Sequence, residues 1–196
     1  RVIVSTYQAV SGAGKEGIDE LDAQVREHSE GREMTANILP SASAEKHYPI
    51  AFNLIPQIDV FCDNLYTKEE MKMVNETKKI MEDYEMRITA TTIRVPVYRS
   101  HSESVNIELE KEVDLGAMRE ALAKFPGVTV QDDPSKQEYP MPLYTSEKDD
   151  VYVGRLRRDE SCEKSYNMWV VGDQIRKGAA LNTLQIAETM IKNGWI

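Results

Sequence analysis

The chain has 196 residues and 22.3 kDa, enough for one substantial hydrophobic core, and its apolar and charged fractions are those of an ordinary globular domain. Its formal charge of -9 excludes a general nucleic-acid binder, which needs a basic surface to neutralise phosphates. No apolar run approaches a membrane-spanning length of roughly 20 residues, no signal-like segment opens the chain, and its two distant cysteines form neither a metal-ligand pattern nor a disulfide framework, so a cytoplasmic protein without metal is expected.

In chain order, the β-branched run at 2–7 predicts a strand. It is followed by a Ser/Gly turn and a helix over 15–29 with Ile18, Leu21 and Val25 on one face. Arg1 stands where a Met would begin a complete chain, and it leads straight into that strand, as in a chain cut or processed upstream. The stretch "ILPSASAEKHYPIAFNLIPQID", with three prolines, predicts a long surface loop of the kind that often carries function. Thr67 and Glu70 form a capping box that opens a helix with Met71, Val74 and Met81 on its apolar side.

From Met86 the pattern turns to strands: "RITATTIRVPV", limited by Pro96, and "SESVNIELE", where apolar and polar residues alternate. A helix at 114–124 is closed by Pro126-Gly127, and a short strand "VTVQD" follows. Two more strands come next, "VYVGRLRRD" and "YNMWVVGD", of which Arg155-Leu156-Arg157-Arg158 reads as a solvated edge. A last helix with Leu181, Leu184, Ile186, Ala187 and Ile191 apolar ends at Gly194. This order predicts an α+β fold: a mixed, largely antiparallel sheet covered by helices, without consecutive βαβ units.

Gly12-Ala13-Gly14-Lys15-Glu16-Gly17 matches the dinucleotide fingerprint G-x-G-x-x-G in letters. Its context fails: Gln8 to Ser11 separate it from the strand, and no second strand follows the helix at the required distance. What remains is a turn of small residues that a flat ligand or another backbone can approach closely.

Two other groups carry candidate chemistry. Lys72, Glu76 and Lys79 share one helix face, either as a clamp for a zwitterion or phosphate or as a solvated ion-pair stripe. Arg94 ends one strand and His101 opens the next, so both can converge at one end of the sheet. His101 is then either a general acid/base or a satisfied core histidine. Cys62 shows no local signature of a nucleophile.

Taken together and in order, "STYQAVSGAG", "KHYPIAFNLIPQID", "EEMKMVNETKKIM", "RVPVYRSHSESVNIE", "VYVGRLRRD" and "WVVGDQIRKGAALNTLQIAE" resemble the aspartate-β-semialdehyde dehydrogenase family of the bacterial kind. The resemblance implies a dimerisation-domain fold like the C-terminal domain of glyceraldehyde-3-phosphate dehydrogenase. It places the substrate-binding and dimerisation domain at 1–175 and, at 176–196, a helix that packs on an N-terminal NADP-binding domain. Family members reduce L-aspartyl-4-phosphate with NADPH through a cysteine thioester, on the route to lysine, methionine and threonine.

On these positions the resemblance makes Gln8 the residue that orients the acyl intermediate, Glu76 the acceptor of the substrate amino group and Lys79 the phosphate contact. It makes Arg94 the partner of the substrate carboxylate and His101 the acid/base. Ser11, Gly12, Gln174 and Asn182 become cofactor contacts. A homodimer or tetramer acting on a small-molecule substrate is implied. The family's phosphate-binding glycines and its nucleophilic cysteine belong upstream of Arg1, so the chain alone is expected to be inactive. A non-catalytic oligomerisation or regulatory module on the same fold is the alternative.

Overall fold

The computed structural model describes residues 1–196. Six strands form one mixed sheet: β1 (Val2–Gln8), β2 (Ile88–Arg94), β3 (His101–Glu108), β4 (Val128–Val130), β5 (Val151–Arg158) and β6 (Ser165–Gly172). Their order across the sheet is β2-β1-β3-β6-β5-β4. β1 pairs in parallel with β2 and β4 with β5, while the three central pairings are antiparallel. The helices are α1 (Gly14–Ser29), α2 (Lys68–Ile80), α3 (Leu115–Lys124), the single turn α4 (Pro142–Thr145) and α5 (Leu181–Lys192). No helix is long and apolar enough to cross a membrane.

The predicted strands and helices are all present, and their ends follow the expected chemistry. Thr67 and Glu70 complete the capping box of α2, Asp114 caps α3 by accepting from the Ala117 N–H, and Gly194 takes a left-handed φ of 67° just beyond α5. The parallel pairing of β1 with β2 was not anticipated. Residues 9–87 make this crossover, and they include α1, the proline-containing excursion and α2.

That excursion does not simply wind over a surface. Leu39, Ile50, Ala51 and Ile55 are buried with Val10 and Leu21 in one apolar cluster, against which Ile18 packs. Two polar side chains of α1 hold it down. Gln24, fully buried, accepts from the N–H groups of Ile50 and Ala51 and donates to the Thr35 carbonyl, while Glu20 accepts from those of Asn37 and Ile38. The buried face of α1 is therefore Leu21 flanked by Glu20 and Gln24, and Val25 is 40% exposed. A buried polar side chain is stable where it satisfies backbone groups that a loop cannot pair itself, which an apolar-period count does not register. Met81, likewise expected on an apolar face, lies past the end of α2 and is exposed.

The sheet's two faces differ. Thr6, Thr92 and Glu103 are ladder partners on the face that α2 covers near β2, and Arg94 and Gln8 continue that row to the sheet's upper end. On the opposite face Thr91 and Ser104 are exposed, and Tyr7 packs against Trp169 with ring centroids 5.4 Å apart. Beyond its short pairing with β4, β5 is met by the Asp132 carboxylate, which accepts from the N–H groups of Arg155 and Leu156, and there Arg155, Arg157 and Arg158 are exposed around buried Leu156, with a bulge between Gly154 and Arg157.

Candidate functional site

The polar residues of interest gather where β1 ends. Because β1 lies between β2 and β3, the last residue of β2 and the first of β3 flank the end of β1 from both sides. Arg94 is the ladder partner of Gln8, and His101 begins the next strand over. The chain after Gln8 turns through a short 3-10 segment, Val10–Ala13, laid across this corner.

Ala9, fully buried, ties the side chains of Arg94 and His101 together through its backbone. Its N–H donates to Nδ1 of His101 at 3.1 Å, and its carbonyl accepts from Nη1 of Arg94 at 2.7 Å. An Nδ1 atom that accepts an N–H must carry a lone pair, so the neutral imidazole holds its proton on Nε2. Burial, followed by the nearby Arg94 charge, lowers the His101 pKa to about 3, against a smaller opposing effect of Asp173. At neutral pH His101 is thus an uncharged donor at Nε2.

Arg94 is only 4% exposed, and burial depresses its pKa to about 10, partly offset by Glu69, so it stays cationic at neutral pH. Its Nε is buried without a partner. A buried guanidinium with an unpaired donor suits a planar carboxylate, which can take two N–H groups at once.

Gly12 explains how the turn fits above these groups. A Cβ there would lie 2.6 Å from Nη1 of Arg94 and 3.4 Å from the His101 ring, so only glycine lets the turn pass this close. Gly17 has an unrelated reason: its Cβ would meet the Val10 carbonyl at 2.5 Å, where α1 packs on the 3-10 turn. The apparent dinucleotide spacing is a coincidence of separate local contacts.

Helix α2 brings two further charges. The Glu70 carboxylate closes the capping box and also accepts from the Thr92 N–H at 3.0 Å, pinning the N-terminus of α2 to the outer strand β2. Glu69 is thereby held over the end of β1, where Oε1 accepts from Nε2 of Gln8 at 3.2 Å. Lys72, one turn on, pairs with Glu69 at 3.5 Å and is close enough to His101 to oppose its protonation.

Glu76 and Lys79, the residues singled out from the sequence, are exposed and their side chains make no hydrogen bond or ion pair. They stand seven residues further along the same helix, about 10 Å from the site end at 1.5 Å per residue. The structure thus brings Glu69 and Lys72 to the corner and leaves Glu76 and Lys79 away from it. The signal was present in the sequence: Glu69 and Lys72 have the same spacing as Glu76 and Lys79, and Glu69 lies beside the capping box.

Ser11 and Gln174 meet directly. Nε2 of Gln174 donates to Oγ of Ser11 at 2.6 Å, and Oε1 accepts from the Ser100 N–H at 3.2 Å. Their side chains therefore join the turn after β1 to the entry of β3. Beside them a cavity of about 290 Å³ is lined by His101, Glu103, Asp173, Gln174 and the glycines 172 and 178, among others. Asn182 is not in this group: it lines a groove between α5 and Pro126-Gly127, with Trp195.

Neither thiol belongs to the corner. Cys162 lies in the β5–β6 turn near Arg1, at the opposite end of the sheet, and Cys62 sits in the turn before α2. No group of three or more His, Cys, Asp or Glu side chains is placed to hold a metal ion.

Comparisons with known proteins agree with this architecture. The family model described as semialdehyde dehydrogenase, dimerisation domain, matches residues 1–177. An aspartate-semialdehyde dehydrogenase of Aquifex aeolicus (strain VF5) is 50% identical over 196 residues, covering all of this chain and 56% of the relative. One of Bacillus subtilis (strain 168) is 50% identical over 193 residues, covering 98% and 56%. The crystal structure of aspartate semialdehyde dehydrogenase II from Vibrio cholerae superposes with a TM-score of 0.90 at 42% identity, covering 98% of this chain and 55% of that one. That enzyme has also been solved in complex with ASA, with a TM-score of 0.89. The chain spans about half the length of the curated relatives it matches. It belongs to the semialdehyde dehydrogenase family and carries that family's dimerisation domain.

Proposed function

We propose that this chain supplies the substrate-binding half of an NADP-dependent aspartate-semialdehyde dehydrogenase, a cytoplasmic enzyme that reduces L-aspartyl-4-phosphate to the semialdehyde and phosphate. The observation that carries this reading is the corner at the end of β1, where Gln8, Glu69, Lys72, Arg94 and His101 converge. An aminoacyl phosphate bears a carboxylate, an ammonium and a phosphate, and the corner offers one complementary charge for each. Arg94 takes the carboxylate, Glu69 the ammonium and Lys72 the phosphate.

Glu69 and Lys72 thus replace Glu76 and Lys79 in these roles. Gln8, held by Glu69, orients the acyl group with its amide. His101 delivers or receives a proton at Nε2, the only ring nitrogen left free by Ala9. A nicotinamide cofactor would supply the hydride when bound. The chain's contribution to its site is the close-approach turn at Ser11-Gly12, the Gln174 side chain and the adjoining cavity with its two glycines, which fit a flat ring better than a branched ligand. Asn182, on a separate groove, is left out of that contact.

Residues 1–175 form the substrate-binding and dimerisation portion. Residues 176–196 expose Leu184, Ile186, Ile191 and Trp195, an apolar strip suited to covering by an N-terminal cofactor domain. The open sheet face around Ser5, Ser104 and Trp169 is the surface through which two copies associate.

The test is to fuse the chain behind the N-terminal portion of the Bacillus subtilis relative and follow phosphate-dependent reduction of NADP by aspartate semialdehyde. The intact relative serves as control. Turnover by the fusion and none by the chain alone is expected. Turnover by the isolated chain, or an inactive fusion that is folded, dimeric and NADP-bound, would overturn the reading.

A further inference from the structure

Asp173 follows the last residue of β6 and is completely buried. Its carboxylate accepts from the N–H groups of Glu147 at 2.7 Å, Ile175 at 2.9 Å and Arg176 at 3.1 Å. Nε of Arg99 forms a close ion pair with it at 2.7 Å, though without the alignment of a hydrogen bond. Burial alone would drive this carboxyl toward its neutral form. The three N–H donors and Arg99 outweigh burial and hold its pKa below the ordinary value, so it is a permanent anion at neutral pH.

Its place in the fold gives that charge a use. Gly172, the residue before it, is the ladder partner of His101, so Asp173 follows at the strand end, and Asp173 and His101 line the same cavity. Arg99 lies two residues before His101. Between them Ser100, fully buried, has a φ of 70°, a left-handed conformation that a serine keeps only when its surroundings hold it. Gln174, next to Asp173, accepts the Ser100 N–H and so holds the same segment from the other side. Of the charged groups facing His101, Arg94 on β2 and Lys72 on α2 oppose its protonation, and Asp173 favours it. Glu103 on its own strand and Lys177 line the same cavity.

We propose that Asp173 is a positioning residue for His101: paired with Arg99, it seats the imidazole and supplies the negative charge against which the ring takes a proton. The inference rests on the reading of His101 as the proton-transfer group. A purely structural staple would hold the same segment but would act on His101 only by keeping it buried.

NMR titration of the His101 ring in the 196-residue chain separates the two. Replacing Arg99 by Gln leaves the Asp173 charge uncompensated and should raise the His101 pKa by about one unit or more, whereas Arg99→Lys, which keeps the charge, should leave it within about 0.3 unit. In the double variant R99Q/D173N the rise should vanish. Equal rises in R99Q and R99K, or a rise that persists in the double variant, would show that loosening and not charge moves the ring, and would overturn the proposal. The two single variants decide the matter if the double variant does not fold. The pH dependence of kcat/KM in the fusion enzyme is read separately. If the NMR titration moves as expected and the acid limb of that profile does not, the proton-transfer reading of His101 fails while the seat stands.

Discussion

Gln8, at the end of β1, donates from Nε2 to the Glu69 carboxylate in the first turn of α2, at 3.2 Å. This one contact joins two segments separated by the whole proline-containing excursion. The hold of Glu70 on the Thr92 N–H selects Glu69 as the acidic residue of α2 that faces the corner, and the bond from Gln8 completes it.

The selection can be tested in the fusion enzyme. On the proposed assignment, replacing Glu69 by Gln or Lys72 by Met would remove a charged contact to substrate. At roughly 1.5–3 kcal/mol for a hydrogen bond to a charged group, kcat/KM should fall on the order of tenfold to a hundredfold. Glu76→Gln and Lys79→Ala should stay within about twofold, as substitutions at exposed and unpaired positions. The reverse order of effects in steady-state kinetics would return the roles to Glu76 and Lys79.

Gly12 is expected to tolerate no side chain. In Gly12→Ala the new methyl meets the Arg94 guanidinium at 2.6 Å. The arginine must give up its place against Ala9, and KM for the carboxylate-bearing substrate should rise by at least about tenfold. At Gly17 the obstacle is backbone, the Val10 carbonyl, so alanine there should cost about 1–3 kcal/mol of stability, seen as a lower thermal midpoint.

The excursion should come loose when its polar anchors go. Gln24→Ala leaves the buried N–H groups of Ile50 and Ala51 without an acceptor, at about 1–3 kcal/mol for each group left unpaired. Amide exchange should quicken over residues 34–55 well before it does in β1 and β3. Uniform protection in that variant would mean that the apolar cluster of Leu39, Ile50 and Ile55 suffices alone.

Stability should vary with pH in a direction set by His101 and Glu103. His101 has a pKa of about 3 when folded and 6.5 as an ordinary imidazole, so between those values the unfolded chain binds a proton that the folded chain does not. Its contribution is complete above pH 6.5 and is lost as pH falls toward 3. Glu103 acts oppositely: burial raises its pKa above the ordinary 4.5, so folding is penalised as pH rises past that value. Urea midpoints should therefore show that His101→Gln flattens the slope between pH 3 and 6.5. Glu103→Gln should raise the midpoint at pH 7, and a lower midpoint there would mean that the carboxylate has a stabilising partner.

By itself the sequence determined the strands and helices, because period, caps and turn residues act within a few positions. The capping box at Thr67 and Glu70, the strand read from 102 to 110, which the structure has at 101–108, and the cap at Gly194 all stand in the structure. It also marked Gln8, Arg94 and His101, which gather at one corner because the three strands that carry them are neighbours, and Gly12, in the turn laid over that corner. Tertiary structure alone decided the rest. A Glu and a Lys three residues apart occur twice on α2, at 69 and 72 and again at 76 and 79. Seven residues are nearly two full helical turns, so the two pairs share a face and no periodicity can separate them. Only the anchoring of Glu70 to the Thr92 N–H, a contact between residues 22 positions apart, sets which end of α2 meets the end of β1.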